Sequence, residues 1–326
     1  YPETPAISYI PALSWIGALR LAAIDRDDRL RAKVVDQTRP WTSGDKPLFP
    51  ASPQASRGQA PRIQLTSAAG TMVFAEIARD ASLSRTPELG AAAERLFDEG
   101  VAAAQKEKAP AAPEYGQGWT DDMFMATAVL ARSGAREGHR DDLDRAARLL
   151  ASYAARLQRD DGLFNHAADG PAAWGRGNGF AAFGLVETLM RLPAAHPMRR
   201  ELLERYRRLM TAVRTRQSPD GAWRQIIDEP GAYREETATA MLLSAMARGV
   251  RLRWIDDSFR PTIARAWRAL AAHIALDGTL FDVCTGTGAG PTKRYYFDRA
   301  AVTGADDRGG AMGLVAALDL HDLGSP

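Results

Sequence analysis

A short turn motif occurs three times along the chain, and it restricts the possible folds more than any other feature of the sequence. The copies are Gln158–Gly162, Gln217–Gly221 and Ala275–Gly278, and each ends in Asp-Gly. The aspartates lie 59 residues apart in the first interval and 57 in the second. A period of this length is typical of stacked helical hairpins, because one hairpin cannot bury its apolar face alone. The repeat therefore predicts either an open solenoid or a closed ring of helix pairs.

The stretches around these turns have helical patterns. Their apolar residues recur at three- and four-residue spacing, which indicates amphipathic helices, whereas strand-like alternation is nearly absent. A short extended piece with aromatic or amide residues follows each turn. An irregular stretch with several prolines, at about 41–62, is predicted to be a loop or arm. The predicted helices are Asp121–Arg132, Asp141–Leu157, Gly179–Leu192, Met198–Arg216, Thr237–Gly249 and Pro261–Ile274.

The chain length of 326 residues is compatible with a single domain, and we favour one domain because closed barrels of this length are common. The 42 Lys and Arg residues balance 40 Asp and Glu and are scattered, which disfavours nucleic acid as a partner. No stretch reaches the length of a membrane span. Cys284 is the single cysteine and is interpreted as a small buried apolar residue. The first residue is Tyr1, which indicates a processed or trimmed chain, and a periplasmic or secreted location is slightly favoured over the cytoplasm.

Four polar segments begin the first helix of successive hairpins. They are Trp-Thr-Asp-Asp at 119–122, Trp-Gly-Arg-Gly-Asn at 174–178, Tyr-Arg-Glu-Glu-Thr at 233–237 and Asp-Asp-Arg-Gly at 306–309. In a closed ring, the equivalent ends of the inner helices meet around one mouth, so these segments are expected to converge there. Helix N-termini present free backbone N–H groups, which favour an anionic ligand group such as a sugar carboxylate.

The first polar segment combines two acids with an aromatic ring. Trp119 directly precedes Thr120, Asp121 and Asp122, and a planar ring beside a carboxylate is typical of sites that hold a sugar near an acid. The alternative is that Thr120 or Asp121 simply caps a helix. Trp119, Asp121 and Asp122 are therefore candidate residues of a sugar-binding site.

The second polar segment, 174–178, is rich in glycine but follows no predicted strand, so a phosphate-binding loop is a poor fit. The glycines are expected to let Arg176 and Asn178 approach a ligand closely. Arginine offers a bidentate fork to a carboxylate, and asparagine offers a donor and an acceptor to hydroxyl groups. Trp174 is a third candidate contact in this segment. A structural turn with a surface arginine is the alternative.

Further candidates are less distinctive. His166 follows the first Asp-Gly turn and is either a ligand contact or a satisfied surface histidine. The other histidines lack partners at metal-ligand spacing, so neither a metal nor another cofactor is predicted. The absence of a Gly-x-Ser-x-Gly motif disfavours acyl-transfer hydrolysis. Candidates that are either ligand contacts or structural residues are Trp223, Gln225, Tyr233, Glu236 and Arg308.

From about Gly118 onward the chain resembles glycoside hydrolase families 88 and 105, the unsaturated glucuronyl and rhamnogalacturonyl hydrolases. The resemblance is carried by Trp119–Met125, Trp174–Asn178, a glycine-tyrosine loop from Gly286 to Tyr296, and Asp307–Met312. It implies an all-α fold, the (α/α)6 barrel. It also implies a polysaccharide-degrading enzyme whose substrate is an oligosaccharide with an unsaturated uronate at its non-reducing end.

The resemblance further implies hydration of the C4=C5 double bond of that uronate, after which the sugar leaves as an unstable hemiketal. Asp121 would protonate C4 and then, as a carboxylate, help water to attack C5. The two-carboxylate geometry of ordinary glycosidases need not apply. Trp174 and Arg176 would hold the unsaturated ring, and His166 would lie nearby. The preferred uronate, the aglycone and the oligomeric state are left open.

Two positions depart from the family pattern. The family has a further aspartate upstream, but the stretch Thr66–Met72 contains no acid, so Glu76, another residue or none fills that role. Phe180 stands where many relatives carry tryptophan. The alternatives to the predicted activity are another α/α-barrel sugar hydrolase or lyase, and a non-catalytic carbohydrate-binding barrel.

Overall fold

The computed structural model describes residues 5–49, 65–83, 85–106 and 118–324, and helices dominate this part of the chain. The first five are α1 (Tyr9–Asp25), α2 (Asp28–Thr42), α3 (Leu65–Gly70), α4 (Met72–Arg79) and α5 (Pro87–Lys106). They are followed by α6 (Thr120–Gly134), α7 (Arg140–Leu157), α8 (Gly175–Leu189), α9 (Arg199–Arg214), α10 (Glu236–Arg251) and α11 (Arg260–Ala272). The last elements are β1 (Val283–Cys284), α12 (Lys293–Phe297), β2 (Ala301–Val302) and α13 (Asp307–Leu323).

Six of these helices form a closed ring within the described residues. α1 packs on α3, α3 on α6, α6 on α8, α8 on α10 and α10 on α13, and α13 returns to α1. Outer helices α2, α5, α7, α9 and α11 each pack against the inner helix that precedes them. The fold is therefore an (α/α)6 barrel, which confirms the predicted ring and excludes an open solenoid. Because each outer helix returns the chain, the inner helices all begin at the same end.

The repeated turn is a hydrogen-bonded corner. Its glycine has φ of 91°, 103° and 87° in the three copies, a left-handed conformation that glycine adopts without strain. The preceding aspartate accepts the backbone N–H two residues further on, at 3.1, 3.2 and 2.9 Å. Gln158 and Gln217 donate Nε2 both to the turn and to a carbonyl of the next outer helix. These bonds fix the spacing between neighbouring hairpins.

Helix α8 begins at Gly175, four residues before its predicted start at Gly179. Glycine lowers helix propensity, which is why the apolar pattern places the start of this helix only at Gly179. In the structure, a Cβ on Gly175 would lie 2.6 Å from the carbonyl oxygen of Arg224, and one on Gly184 would lie 2.1 Å from that of Met123. The predicted start of this helix was wrong because the glycines allow close packing of helices and do not form a loop.

The predicted arm at 41–62 lies mostly outside the described residues. Residues 41–42 belong to the last turn of α2, and residues 43–49 form turns and bends directly after it. Residues 50–62 are outside the described ranges. Among the helices that are described, none combines the length and the apolarity needed to cross a bilayer.

Aromatic rings fill the middle of the barrel. Phe124 of α6 stacks on Phe180 of α8 with ring centroids 6.2 Å apart, and it meets Phe183 edge-on at 5.6 Å. Phe180 also meets Tyr9 of α1 edge-on at 5.6 Å. All four side chains are buried. Phe180 therefore belongs to the core below the mouth.

A network of buried charges closes the opposite end of the ring. Glu187 at the end of α8 accepts hydrogen bonds from Arg132 of α6 at 2.8 Å and from Arg248 of α10 at 2.7 Å. Arg248 also pairs with Asp319 of α13 at 2.6 Å. Burial alone would raise the pKa of Glu187, but the surrounding arginines hold that pKa well below its ordinary value. Glu76 pairs with Arg132 at 3.0 Å, so the acid suggested for the upstream role lies at this closed end.

Candidate active site

The starts of the inner helices bring charged groups around Tyr9, in the first turn of α1. Burial raises the pKa of Tyr9 to about 12, and the charges that act on it next are those of Arg176, Asp121, Arg308 and Asp306. These four side chains come from the starts of α8, α6 and α13. The structure thus brings three of the four predicted polar segments together at one mouth of the barrel, with Tyr9 as a neighbour.

The adjacent aspartates at the start of α6 have different surroundings. Asp122 is 3% exposed, and its Oδ2 accepts the backbone N–H groups of Gly118 and Trp119 and the hydroxyl of Tyr153, at 2.8, 3.1 and 3.0 Å. Asp122 therefore caps the helix, and its contact with a substrate stays a prediction. The side chain of Asp121 is 15% exposed and reaches His166, so Asp121 is the member of the pair that faces the mouth.

His166 links Asp121 to the opposite wall of the site. Its Nε2 lies 2.9 Å from Oδ2 of Asp121, and its Nδ1 lies 2.9 Å from Oη of Tyr296. The imidazole is fully buried. The backbone N–H of Thr120 donates to the carbonyl oxygen of His166 at 2.9 Å, which ties this segment to the start of α6. The predicted histidine is thus a direct partner of the predicted acid.

Two tryptophans flank His166. The ring of Trp174 lies 4.5 Å from the imidazole centroid, and the ring of Trp119 lies 5.5 Å away. Trp174 is 1% exposed and also packs under the guanidinium of Arg176 at 4.8 Å. Trp119 is partly exposed. Trp174 therefore supports its two polar neighbours, whereas Trp119 is the tryptophan of this pair that stays partly exposed.

Arg176 anchors a segment that we call the hairpin lobe, residues 283–302, formed by β1, α12 and β2. Its Nη1 and Nη2 donate to the carbonyl oxygens of Cys284 and Thr285 at 2.5 and 2.8 Å. Glu235 caps α10 and accepts the backbone N–H of Cys284 at 2.9 Å. Both terminal nitrogens of Arg176 therefore hold the lobe, and the predicted bidentate grip on a ligand carboxylate is not seen. Cys284 itself is fully buried.

Three further predicted contacts are engaged by the protein. Asn178 accepts the N–H of Phe164 at 2.8 Å and donates to the carbonyl oxygen of the same residue at 3.0 Å. Trp223 donates Nε1 to a carbonyl of α9 at 2.7 Å, and Gln225 donates Nε2 to the carbonyl oxygen of Tyr296 at 2.5 Å. All three side chains are fully buried. They shape the walls of the site and do not line its surface.

Glu236 differs most from its predicted position. The pattern places it at the mouth, but its carboxyl lies beside His273, the residue directly after α11, with Oε1 3.7 Å from Nδ1 of that histidine. The group is fully buried, and neither oxygen has a hydrogen-bond partner among the described residues. Burial, followed by the charges of Glu235 and Asp282, raises the pKa of Glu236 to about 8. The preceding residue, Glu235, is the acid nearer to Arg176.

The remaining predicted contacts are Arg308 and Tyr233. Arg308 donates Nε and Nη2 to the two oxygens of Asp306 at 2.9 and 2.5 Å. Its Nη1 has no partner among the described residues and lies 3.4 Å from the point where a Cβ on Gly286 would be. Tyr233 is half-buried, and burial followed by the thiol of Cys284 raises its pKa. Arg308 is thus held by an acid with one face open towards the hairpin lobe.

The sequence analysis missed the roles of Tyr9, Tyr296, Glu235 and Asp306. Tyr9 lies far upstream of the repeat, and Tyr296 is noted only as part of the glycine-tyrosine loop, so periodicity gives no signal for either. Glu235 and Asp306 lie within two of the polar segments, at 233–237 and 306–309, but were not selected as candidate contacts. In the described ranges, no three His, Cys, Asp or Glu side chains lie close enough together to hold a metal ion.

Comparison with known proteins identifies relatives over most of the chain. The family profile described as Glycosyl Hydrolase Family 88 matches residues 81–323. The unsaturated rhamnogalacturonyl hydrolase YesR of Bacillus subtilis is 26% identical over 188 residues, which cover 55% of this chain and 53% of the relative. An unsaturated 3S-rhamnoglycuronyl hydrolase of Alteromonas sp. is 24% identical over 49% of this chain and 42% of its own. The chain thus spans about half the length of the curated relatives that it matches.

Solved structures share the fold at low identity. A glycoside hydrolase of family 105 from C. acetobutylicum superimposes with a TM-score of 0.80 at 16% identity, over 98% of this chain and 94% of that one. The unsaturated glucuronyl hydrolase of Bacillus sp. GL1 superimposes with a TM-score of 0.66 at 16% identity, over 98% and 88%. At this identity the likeness shows the barrel alone.

Proposed function

Because the chain belongs to glycoside hydrolase family 88, we propose that it removes a terminal 4,5-unsaturated uronate from an oligosaccharide by hydrating the C4=C5 double bond. The observation that carries this proposal is the Asp121–His166 pair at the mouth, with a hydrogen bond of 2.9 Å. The names of the curated relatives, unsaturated rhamnogalacturonyl and 3S-rhamnoglycuronyl hydrolases, support the substrate class.

The two carboxyl oxygens of Asp121 differ, because one is hydrogen-bonded to the protein and the other is available to a substrate. Oδ2 is bound to His166, whereas Oδ1 has no hydrogen-bond partner among the described residues. A protonated Asp121 can therefore present its proton from Oδ1 at the mouth. Transfer of that proton to C4 of the vinyl ether leaves positive charge at C5 and on the ring oxygen, and the new carboxylate lies beside that charge.

Water completes the reaction from the same mouth. The Asp121 carboxylate accepts a proton from a water molecule whose oxygen bonds to C5, so the acid is regenerated and one water is consumed. The C5 product is a hemiketal, whose ring opening gives a ketone at C5 and a hemiacetal at C1. The hemiacetal then collapses to an aldehyde and releases the rest of the saccharide as an alcohol. One carboxyl group serves both steps, so a second carboxylate at the spacing found in ordinary glycosidases is not required.

The uronate carboxylate is an anion, and the mouth suits it. The starts of α6, α8, α10 and α13 direct backbone N–H groups and positive dipole ends towards this end of the barrel. Arg308 is the guanidinium with an open nitrogen, since Asp306 occupies only Nε and Nη2. We assign the substrate carboxylate to Arg308 Nη1, and a sugar face to the partly exposed ring of Trp119.

Incubation with unsaturated galacturonyl-rhamnose and with unsaturated glucuronyl disaccharides tests the proposal. We expect loss of the vinyl-ether absorbance and incorporation of one oxygen from labelled water at C5. An ordinary hydrolase would release a free unsaturated uronate before any absorbance is lost, and a lyase would generate absorbance from saturated substrates. Tight binding without any turnover would instead favour a carbohydrate-binding barrel.

A pair of aspartate variants tests the assigned acid. Asp121→Asn keeps the size of the side chain but removes the proton donor, so we expect kcat to fall by about 10²–10⁴-fold. Asp141→Asn is the matched control, because Asp141 occupies the first turn of outer helix α7 and is exposed. Full activity in Asp121→Asn would exclude the mechanism.

A further inference from the structure

Tyr296 closes the side of His166 that faces away from Asp121. It lies in α12 of the hairpin lobe, and its side chain is fully buried. Its Oη lies 2.9 Å from Nδ1 of His166 and accepts the backbone N–H of Gly290 at 3.2 Å. Its carbonyl oxygen accepts the amide of Gln225, as described above. The ring and the backbone of Tyr296 are thus both fixed.

The surroundings of the Tyr296 hydroxyl decide the direction of its bond to His166. A hydroxyl has one proton and two lone pairs. The Gly290 N–H already fills one lone pair, and Nδ1 of His166 is the other partner among the described residues. If Nδ1 carried a proton, the hydroxyl would accept twice and its own buried proton would have no acceptor, which is costly. The satisfied arrangement has Tyr296 donating to an unprotonated Nδ1.

This direction of the hydrogen bond from Tyr296 to His166 is also consistent with the bond between His166 and Asp121. Burial raises the pKa of Tyr296 to about 12, so the hydroxyl keeps its proton near neutral pH. With Nδ1 as acceptor, the imidazole proton lies on Nε2 and is donated to Oδ2 of Asp121. The exchangeable proton of Asp121 must then reside on Oδ1, the oxygen that is open to the mouth. A doubly protonated imidazole would instead take that proton away from the carboxyl group.

We propose that Tyr296 is a positioning residue that confines His166 to its neutral Nε2–H tautomer, so that the reactive proton stays on Asp121. The effect of Tyr296 on catalysis by Asp121 rests on the proposed function, whereas the assigned tautomer of His166 does not. The role is comparable to that of the buried acid in a serine-protease triad, which fixes the tautomer of a catalytic histidine without touching substrate.

Nitrogen NMR of 15N-histidine-labelled protein tests the tautomer directly. The chain has five histidines, and the His166→Gln variant identifies the signals of His166. In the unmodified protein we expect a protonated Nε2 and an unprotonated Nδ1 at the pH of the activity assay. In Tyr296→Phe, which lacks the hydroxyl donor, we expect a larger fraction of the protein to carry a proton on Nδ1. A proton on Nδ1 of the unmodified protein, or identical spectra in both proteins, would overturn the proposal.

Kinetics provides the second readout. We expect kcat of Tyr296→Phe to fall about tenfold, with an altered acidic limb of the pH profile and little change in KM. Tyr206→Phe is the matched control, because it removes a buried hydroxyl that donates to the carbonyl oxygen of Ala245, away from the mouth. An equal fall of kcat in both variants would reduce Tyr296 to a structural residue and refute the proposal.

A glycine variant perturbs the hydroxyl without changing the tyrosine, in case Tyr296→Phe does not fold. A Cβ on Gly170 would lie 2.8 Å from Oη of Tyr296, too close for the rigid phenol to remain in place. Gly170→Ala should therefore reproduce the NMR change and the fall in kcat, and unchanged spectra would contradict the proposal. If the unmodified protein has no activity on unsaturated uronyl disaccharides, the proposed function fails, but the NMR result still decides the tautomer.

Discussion

Glu236 provides a test of the structure that is independent of the reaction. The carboxyl group at the first position of α10 is fully buried, and neither of its oxygens accepts a hydrogen bond within the described ranges. His273 lies 3.7 Å away, but its Nδ1 donates to the carbonyl oxygen of Ala269 at 2.9 Å. The neutral acid is therefore the favoured form in the folded protein, and the prediction concerns its replacement by glutamine.

The magnitude follows from the shift in pKa. Burial raises the pKa of Glu236 from an ordinary value of 4.5 to about 8. Because the folded state binds this proton more tightly, the associated stability is fully present below pH 4.5 and is lost as the pH rises towards 8. At about 1.4 kcal/mol per pKa unit, the loss reaches at most about 5 kcal/mol above that pH. Glutamine cannot ionise, so Glu236→Gln should lack this loss.

Urea unfolding at a series of pH values measures the effect. The difference in the free energy of unfolding, Glu236→Gln minus the unmodified protein, should rise by several kcal/mol between about pH 5 and 8 and be flat beyond. A constant offset from burying an amide does not alter this slope. Glu201→Gln, on the surface of α9, serves as the control and should show no such rise. A flat difference for Glu236→Gln would refute the assigned burial and pKa.

Two further predictions concern stability. Glu187→Gln removes the charge shared by three arginines at the closed end, two of them buried, and should lower the free energy of unfolding by about 3–5 kcal/mol, whereas Glu201→Gln, in an exposed pair, should change it by less than about 1 kcal/mol in urea titrations. Gly278→Ala has open space around its Cβ and should cost only the left-handed backbone term of about 1–2 kcal/mol. Gly221→Ala would also bring a Cβ within 2.3 Å of the carbonyl oxygen of Arg265 and should cost at least about 1 kcal/mol more, and equal melting temperatures for the two variants would contradict that contact.

Much of the fold was predictable because the repeat encodes it locally. An Asp-Gly corner needs glycine for its left-handed residue and an acid for the backbone N–H that follows, and both requirements are visible in the sequence. The start of α8 was not predictable in this way. Gly175 and Gly184 weaken a helix by propensity, and only the neighbouring backbone in the folded ring explains why they are there.

The segments that form the candidate site could be predicted from the sequence, but the residues within them that face the mouth could not always be predicted. Sequence spacing could not decide which of two adjacent acids faces inward, and the structure selects Asp121, Glu235 and Asp306 at three helix starts. Asp121 matches the prediction, whereas Glu236 lies on the outer side of its helix. Tyr296 was missed because its contact with His166 joins positions 130 residues apart, for which one sequence offers no signal.

Inner helices α6 and α8 are polar at both ends and aromatic in the middle, with Phe124, Phe180 and Phe183 between the mouth and the buried charges around Glu187. This layering sets the axial register of the ring. An inner helix displaced by one turn, about 5.4 Å, would press an ionised end against phenyl rings and leave its former partners unpaired. Sliding is thus resisted from both directions, and the height of Asp121 in the barrel depends on charges at the far end that never contact the ligand.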